Sequence, residues 1–277
     1  MIAWLTEPWA YPFMRWALVC CLVLAGIHAY LGFHVVRRGI LFVDLAMAQT
    51  AALGAACAIV LGFEHGTARE YAMSFGFALA AAGLFSIVRS RRIHAEAWIA
   101  IFYAMASAAT FVVLEHSPHG MEEVKHLFVG QVLTVAPHKI LLTAGLYGVI
   151  GFMHWKLHPK TLAISEVQDI PGRRLLDFFF YASFAAIVTS SVGLVGVLLV
   201  FSFLVLPAVA AMLLAQGDAA RLAWGWLFAG AGSLAGLHAA FHWDLPAAPV
   251  IALTLGAILA IAAFASRVLS RSQAGSG

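Results

Sequence analysis

Asp44 and Gln49 interrupt the run RRGILFVDLAMAQTAALGAACAIVLGF, residues 37–63, which otherwise reads as one membrane helix. Carboxylates and carboxamides inside a bilayer are costly, and those retained there face protein or water and mark ion or substrate paths. Counted from Ile40, Asp44 lies about 6 Å and Gln49 about 14 Å along the helix axis, the latter near the midplane. Asp44 also suits a second role, a carboxylate near a helix start, where it favours the positive end of the dipole. Gln49 has no such escape by depth and needs a neighbour or a cavity.

Histidine supplies the other candidate chemistry, with twelve in the chain. His238 and His242 stand at i, i+4 in GLHAAFHWDLP with Asp244 just beyond. Two imidazoles on one helix face with a carboxylate nearby could share a metal ion. A second pair, His154 and His158, flanks Lys156 at a helix end, where a cation offsets the C-terminal dipole. His65, His116, His119, His126, His138 and His242, with Glu64, Glu115, Glu122 and Glu123, form a polar rim on one side. Imidazole and carboxylate suit zinc and manganese; an ordinary solvated loop has the same composition. No GxxxxGK[ST] phosphate loop, HExxH, CxxC or GxSxG occurs, so the chain is not itself a P-loop ATPase, and an intramembrane hydrolase has little support.

The elements that must hold these residues are membrane helices. The 277 residues are 63% hydrophobic and 10% charged, with a mean hydropathy of +0.93, where soluble domains carry about 25% charged residues. Apolar runs of the length needed to cross hydrocarbon recur from end to end, and the alternation of an outer-membrane barrel is absent. The expected fold is therefore all-α, a single polytopic transmembrane domain over residues 1–277. Spans fall at 13–36, 40–62, 70–88, 94–114, 138–157, 175–191, 194–215, 221–241 and 246–268, nine in all, or eight if Gly193 and Gly196 break one irregular crossing. Placing Arg37 and Arg38 inside puts twelve Lys and Arg inside and four outside, as the positive-inside rule requires. Two connections stand out: an outer His/Glu-containing loop, 115–137, and an inner segment, 159–173, with a short amphipathic stretch ending at Pro171-Gly172. Small residues one turn apart, Gly232 with Gly236 and Ala48 with Ala52 and Ala56, mark close helix packing. Cys20, Cys21 and Cys57 lie in apolar runs and read as buried thiols.

Three segments together resemble the permeases of zinc, manganese and iron ATP-binding-cassette importers: LGFHVVRRGILFVDLAMAQTAALG (31–54), VGVLLVFSFLVLPAVAAMLLA (195–215) and GLHAAFHWDLPAAPVIAL (236–253). They stand in family order and spacing, and FVDLAMAQTAALG with SPHGMEEVKHLFVGQVLTV (117–135) is similar to a variant branch. The resemblance implies a homodimer in the bacterial cytoplasmic (inner) membrane, in contact with lipid, carrying a divalent metal ion, zinc or manganese, between the protomers. It implies a separate ATP-binding subunit docked on the inner segment, with Ile164, Glu166, Asp169, Pro171 and Gly172 at the contact, and an extracytoplasmic solute-binding protein. The metal is cargo, so no resident cofactor is expected, and no nucleic-acid partner. Metal-path residues implied or suggested are Asp44, Gln49, His238, His242 and Asp244.

This chain departs from the family pattern of an Asp followed four residues on by His. Asp44 matches the Asp, but Ala48 stands four residues later; anchoring on Gly54 instead puts Gln49 at the histidine position with one residue inserted. An ideal helix sets Asp44 and Gln49 about 140° apart, so a shared face requires a π-bulge. Ala240 and Ala248 replace the usual small polar residue and glycine. Two other classes use the same residues differently: a haem protein using His28 and His238 as axial ligands, and a proton-coupled carrier using Asp44. The charge asymmetry yields a direct test. A reporter fused at Gly277 should be active only in the cytoplasm; activity confined to the periplasm would invert the topology.

Overall fold

The computed structural model describes residues 2–64, 66–87, 94–115, 130–166 and 171–274. Among them all regular structure is helical: α1 (Ile2–Ala10), α2 (Pro12–Arg38), α3 (Val43–Val60), α4 (Ala68–Ile87), α5 (Ala95–Leu114), a 3-10 turn (Val132–Thr134), α6 (Pro137–Lys156), α7 (His158–Ser165), α8 (Arg173–Leu214), α9 (Asp218–Trp243) and α10 (Ala247–Ala274). Six of these helices are long and apolar enough to cross a membrane. A seventh span arises if α6 and α7, bent by 78°, count as one. The expected spans 175–191 and 194–215 correspond to the two arms of α8, which meet at a kink at Gly196 (φ 79°, ψ 161°). That conformation is open essentially to glycine alone, so the chain breaks its helical path without a polar loop. α9 is long enough at 26 residues, but Gly, Ser, His and Trp dilute its hydropathy, so it does not count among the six.

The helices group into two units. One contains Met1–Val36, Gln131–Leu142 and Leu198–Gly277, the other Arg37–Gly130 and Thr143–Val197.

In the first unit, α2, α9 and α10 approach through small residues. A Cβ on Gly236 would lie 2.6 Å from Ile251 Cα, and one on Gly232 would strike the Leu255 side chain. Thr254 Oγ1 donates to Gly232 O at 2.9 Å across the same seam, and Trp226 Nε1 donates to Gly26 O at 2.9 Å, tying α9 to α2. Lipid tails are as apolar as leucine, so such seams are held by van der Waals contact and backbone proximity rather than by hydrophobic transfer. Cys20 and Cys21 are buried here and unpaired.

In the second unit, α3 packs against α4 and α5 and is buried almost all round. Its seam with α4 forms at Gly54, where a Cβ would lie 2.8 Å from both Met73 O and Ser74 Cα. Ser74 Oγ donates to Ala51 O at 2.6 Å beside it. Gly130 (φ 64°) approaches the backbone of Val195 and Gly196 so closely that no side chain fits. Cys57 is half-buried and free.

The α3–α4 seam predicts an asymmetry between two glycines of this unit. Gly54→Val should lower stability by about 1–3 kcal/mol, because backbone atoms cannot yield to the added volume. Gly76, with nothing within 4 Å of its Cβ position, should accept Ala without loss. Thermal unfolding of the detergent-solubilised protein checks both.

Candidate functional site

α3 begins after Phe42 without a side-chain cap, and Asp44 lies in its first turn. The Asp44 side chain is fully buried, and among the described residues neither carboxylate oxygen has a hydrogen-bond partner. Gln49 is 2% exposed, and its amide nitrogen likewise has no partner among the described residues. α3 is regular α-helix throughout, with no π-bulge, so Asp44 and Gln49 project about 140° apart. They do not share a face. One turn on from Asp44 come Ala48, Ala52 and Ala56, all buried, a stripe of methyl groups beyond a carboxylate. Both polar side chains are enclosed by this chain's own helices, with no exposed face to offer a second copy.

An ionised carboxylate in a low-dielectric interior costs several kcal/mol unless a cation or a set of donors offsets it. What Asp44 can do chemically is therefore take up a proton or receive a metal cation. The hollow of about 600 Å³ lined by Thr50, Met73, Gly76, Phe77, Leu84 and Phe102 is apolar and offers a metal no ligand set; the Thr50 hydroxyl already donates to Ala46 O.

The second histidine pair is engaged by an element the sequence did not connect to it. His238 Nε2 and His242 Nε2 both donate to the carbonyl oxygen of Trp4 in α1, at 3.2 and 3.0 Å. The Trp4 indole stacks on His242 with centroids 4.5 Å apart and meets His238 edge-on at 4.3 Å. The reason is Pro8. Proline lacks an N–H, so the carbonyl four residues earlier loses its helical donor. That carbonyl is Trp4's, and the two imidazoles replace the missing donor. Asp244, exposed in the left-handed C-cap of α9 (φ 50°), stands apart from this contact. Among the described residues no three His, Cys, Asp or Glu side chains gather to hold a metal. A ring nitrogen donating its proton to Trp4 has no lone pair for a metal, so metal capture through the two Nε2 atoms and this contact with α1 exclude each other.

The remaining histidines are mostly structural. His154 is buried, its Nε2 2.8 Å from Ser183 Oγ and its ring against Phe179. His28 Nδ1 donates to Leu24 O at 2.8 Å within α2. The outer rim residues His65, His116, His119, His126, Glu122 and Glu123 lie outside the described residues.

The inner segment forms α7, with Pro159 in its first turn. Thr161, Ile164 and Ser165 face inward, while Pro159, Lys160 and Glu166 are exposed, as are Pro171 and Gly172. Ile164, 2% exposed, is an anchor of α7 and not part of its outer face. Glu166 receives Arg37 Nη1 at 3.1 Å. Asp169 lies outside the described residues. Sequence reasoning treated Arg37 and Arg38 only as topology signals and passed over Asp177, the lone acid of α8. Arg38 Nη1 donates to Asp177 Oδ1 at 3.1 Å, and both side chains are 7% exposed.

The ABC 3 transport family matches residues 10–266. The chain belongs to that family. It is a membrane permease subunit of an ATP-binding-cassette transporter and not an enzyme in itself, since ATP hydrolysis resides in a separate subunit. A Haemophilus influenzae protein named "Probable iron transport system membrane protein" is 23% identical over 280 residues, covering 98% of this chain and 100% of the relative. The manganese transport system membrane protein MntC of Listeria monocytogenes is 22% identical over 258 residues, covering 91% of this chain and 90% of the relative. Among solved structures, PsaBC from Streptococcus pneumoniae in complex with Fab superposes with a TM-score of 0.78 at 19% identity, covering 95% of each chain. At that identity the likeness speaks for the fold.

The docking of α1 is open to measurement. Two hydrogen bonds at about 0.5–1.5 kcal/mol each imply that the double variant His238→Ala/His242→Ala should expose α1 amides to hydrogen exchange about tenfold faster or more. Unchanged protection of residues 4–10 would mean that α1 is held by other contacts.

Proposed function

We propose that this permease imports a divalent transition-metal ion, manganese or iron ahead of zinc, through the helices around α3. The observation that carries the reading is the Asp44 carboxylate, fully buried in an apolar helix without a hydrogen-bond partner among the described residues. A dehydrated cation gives that charge a partner, and the carboxylate gives the cation a route through hydrocarbon that apolar side chains would deny. Gln49, at another azimuth of the same buried helix, offers a neutral oxygen. Oxygen donors suit manganese better than zinc, for which imidazole is the stronger ligand. The relatives named above for iron and manganese support the same choice. Because both side chains are enclosed within one chain, the path proposed runs inside each protomer of a homodimer rather than along a seam lined by two copies of α3.

The ATP-binding subunit docks, on this reading, on the exposed face of α7 and the following turn: Pro159, Lys160, Glu166, Pro171 and Gly172, with Asp169 between. A solute-binding protein delivers metal on the opposite side, where His238, His242 and Asp244 receive it once α1 has released the imidazoles. The membrane is the bacterial inner membrane. Nine crossings fit the lengths best, since the 42 residues of α8 amount to about 63 Å of helix, twice the thickness of the hydrocarbon core.

Uptake of ⁵⁴Mn by cells carrying the permease with its two partner subunits tests the reading. Asp44→Asn should insert and assemble normally yet lower uptake at least about tenfold, because losing one partner of a desolvated charge pair costs about 2–5 kcal/mol. Gln49→His should retain zinc more tightly and release it more slowly. Normal uptake by Asp44→Asn would leave Asp44 as a helix-start carboxylate and move the path elsewhere.

A further inference from the structure

Arg37 and Arg38 close α2, the turn 39–42 follows, and α3 begins at Val43 with Asp44 in its first turn. Both arginines belong to the same unit as α3, α7 and the first part of α8. The Arg38 guanidinium works in two directions at once. Its Nη1 donates to Asp177 Oδ1 at 3.1 Å, and its Nε donates to Ser165 Oγ at 3.2 Å, at the last residue of α7. The guanidinium carbon lies 3.9 Å from the centre of the Phe180 ring. Ser165 Oγ passes the link on, donating to Thr161 O at 2.8 Å within α7. The other Asp177 oxygen is 3.6 Å from Arg173 Nε at the start of α8, and Arg37 reaches Glu166 just past the end of α7.

Three stretches of chain therefore meet at one forked cation: the end of α2, the end of α7 and the first turns of α8. A positive-inside signal needs only exposed Lys or Arg near the inner interface. A pair with both side chains 7% exposed exceeds that need. Its planar fork holds two acceptors in fixed relation and stacks on an aromatic face, which an ammonium cannot do. Exposed ion pairs contribute little rigidity; a buried, forked and charge-assisted one fixes geometry.

We propose that Arg38 is a positioning residue for transport: it ties α7 to the turn 39–42, so that movement of α7 by the ATP-binding subunit is delivered to the first turn of α3 and to Asp44. This rests on the reading that α7 is the docking helix. The route is short and contiguous, from α7 through Ser165 to Arg38, then six residues along the chain to Asp44. A chain of packed and hydrogen-bonded groups is the physical form such coupling takes.

The test uses the complete transporter, permease with its ATP-binding and solute-binding subunits, in proteoliposomes supplied with Mn²⁺. Copurification of the ATP-binding subunit, ATP hydrolysis and Mn²⁺ uptake are measured separately. Ser165→Ala cuts only the α7 arm and leaves the buried pair whole. Arg38→Gln/Asp177→Asn removes the pair without stranding either of its charges. Both should copurify the ATP-binding subunit at the original yield and hydrolyse ATP within about twofold of it, yet move at least about fivefold less Mn²⁺ per ATP, within the range of mutations along a coupling route. Arg38→Lys, which keeps the charge and loses the fork, should fall with them. Undiminished Mn²⁺ per ATP in Ser165→Ala would overturn the proposal, and so would an Arg38→Lys variant that couples normally. Lys160→Glu, on the exposed face of α7, should weaken copurification. Undiminished copurification there would overturn the docking reading itself.

Discussion

Inside hydrocarbon there is no water to complete a hydrogen bond, so each polar group must be satisfied by the protein or be put to use. Many hydroxyls of this chain obey that constraint locally. Thr50, Thr110, Ser202 and Ser233 each donate to the carbonyl four residues earlier, at 2.6, 2.9, 2.8 and 2.7 Å. Others turn the same need into helix pairing, as Ser74 does with Ala51 and His154 with Ser183. Ser107, Thr189, Trp98 and Gln49 also bury a polar atom without a partner among the described residues, but Asp44 is the carboxylate in that set, with both oxygens unpartnered. Asp44 is the group that the fold encloses and leaves for something else to neutralise.

The same constraint explains the spacing of the helices. Close approach brings backbone carbonyls within reach of neighbouring side chains, as where Thr254 donates to Gly232 and Trp226 to Gly26. Glycine and alanine at these crossings therefore serve two needs, contact area and access to backbone acceptors. The 10% of residues that carry charge are left mostly to the ends of helices. There Arg38, Arg173 and Asp177 form a compact ionic knot rather than a dispersed fringe.

Much of this was legible in the sequence because hydropathy and small-residue spacing are local signals. The helical class, the position of α3, the short inner helix and the Gly232/Gly236 seam all follow from windows of a few turns. The kink in α8 falls at Gly196, one of the two glycines that the sequence marked as a break, and backbone torsion alone makes it. The family resemblance implied Ile164 as a contact residue, and eight residues of α7 carry too little periodicity to show that it faces inward. The Arg38–Asp177 pair joins positions 139 apart in the chain, and no local pattern encodes such a pairing. Asp44 and Gln49 were visible as anomalies, but their burial within a single chain, and the regular helix that keeps them on different faces, required coordinates.

The contact between α1 and α9 has a consequence in the language of inheritance. Pro8 removes a donor, and His238 with His242 supplies two in its place. A lineage that replaced Pro8 with a residue bearing an N–H would restore the helical bond to Trp4, and selection on both imidazoles as donors would relax. A lineage that lost the histidines would gain from losing the proline. Positions 230 residues and more apart in the chain thus form one heritable unit, and their joint drift among descendants would record the contact without any structure being solved.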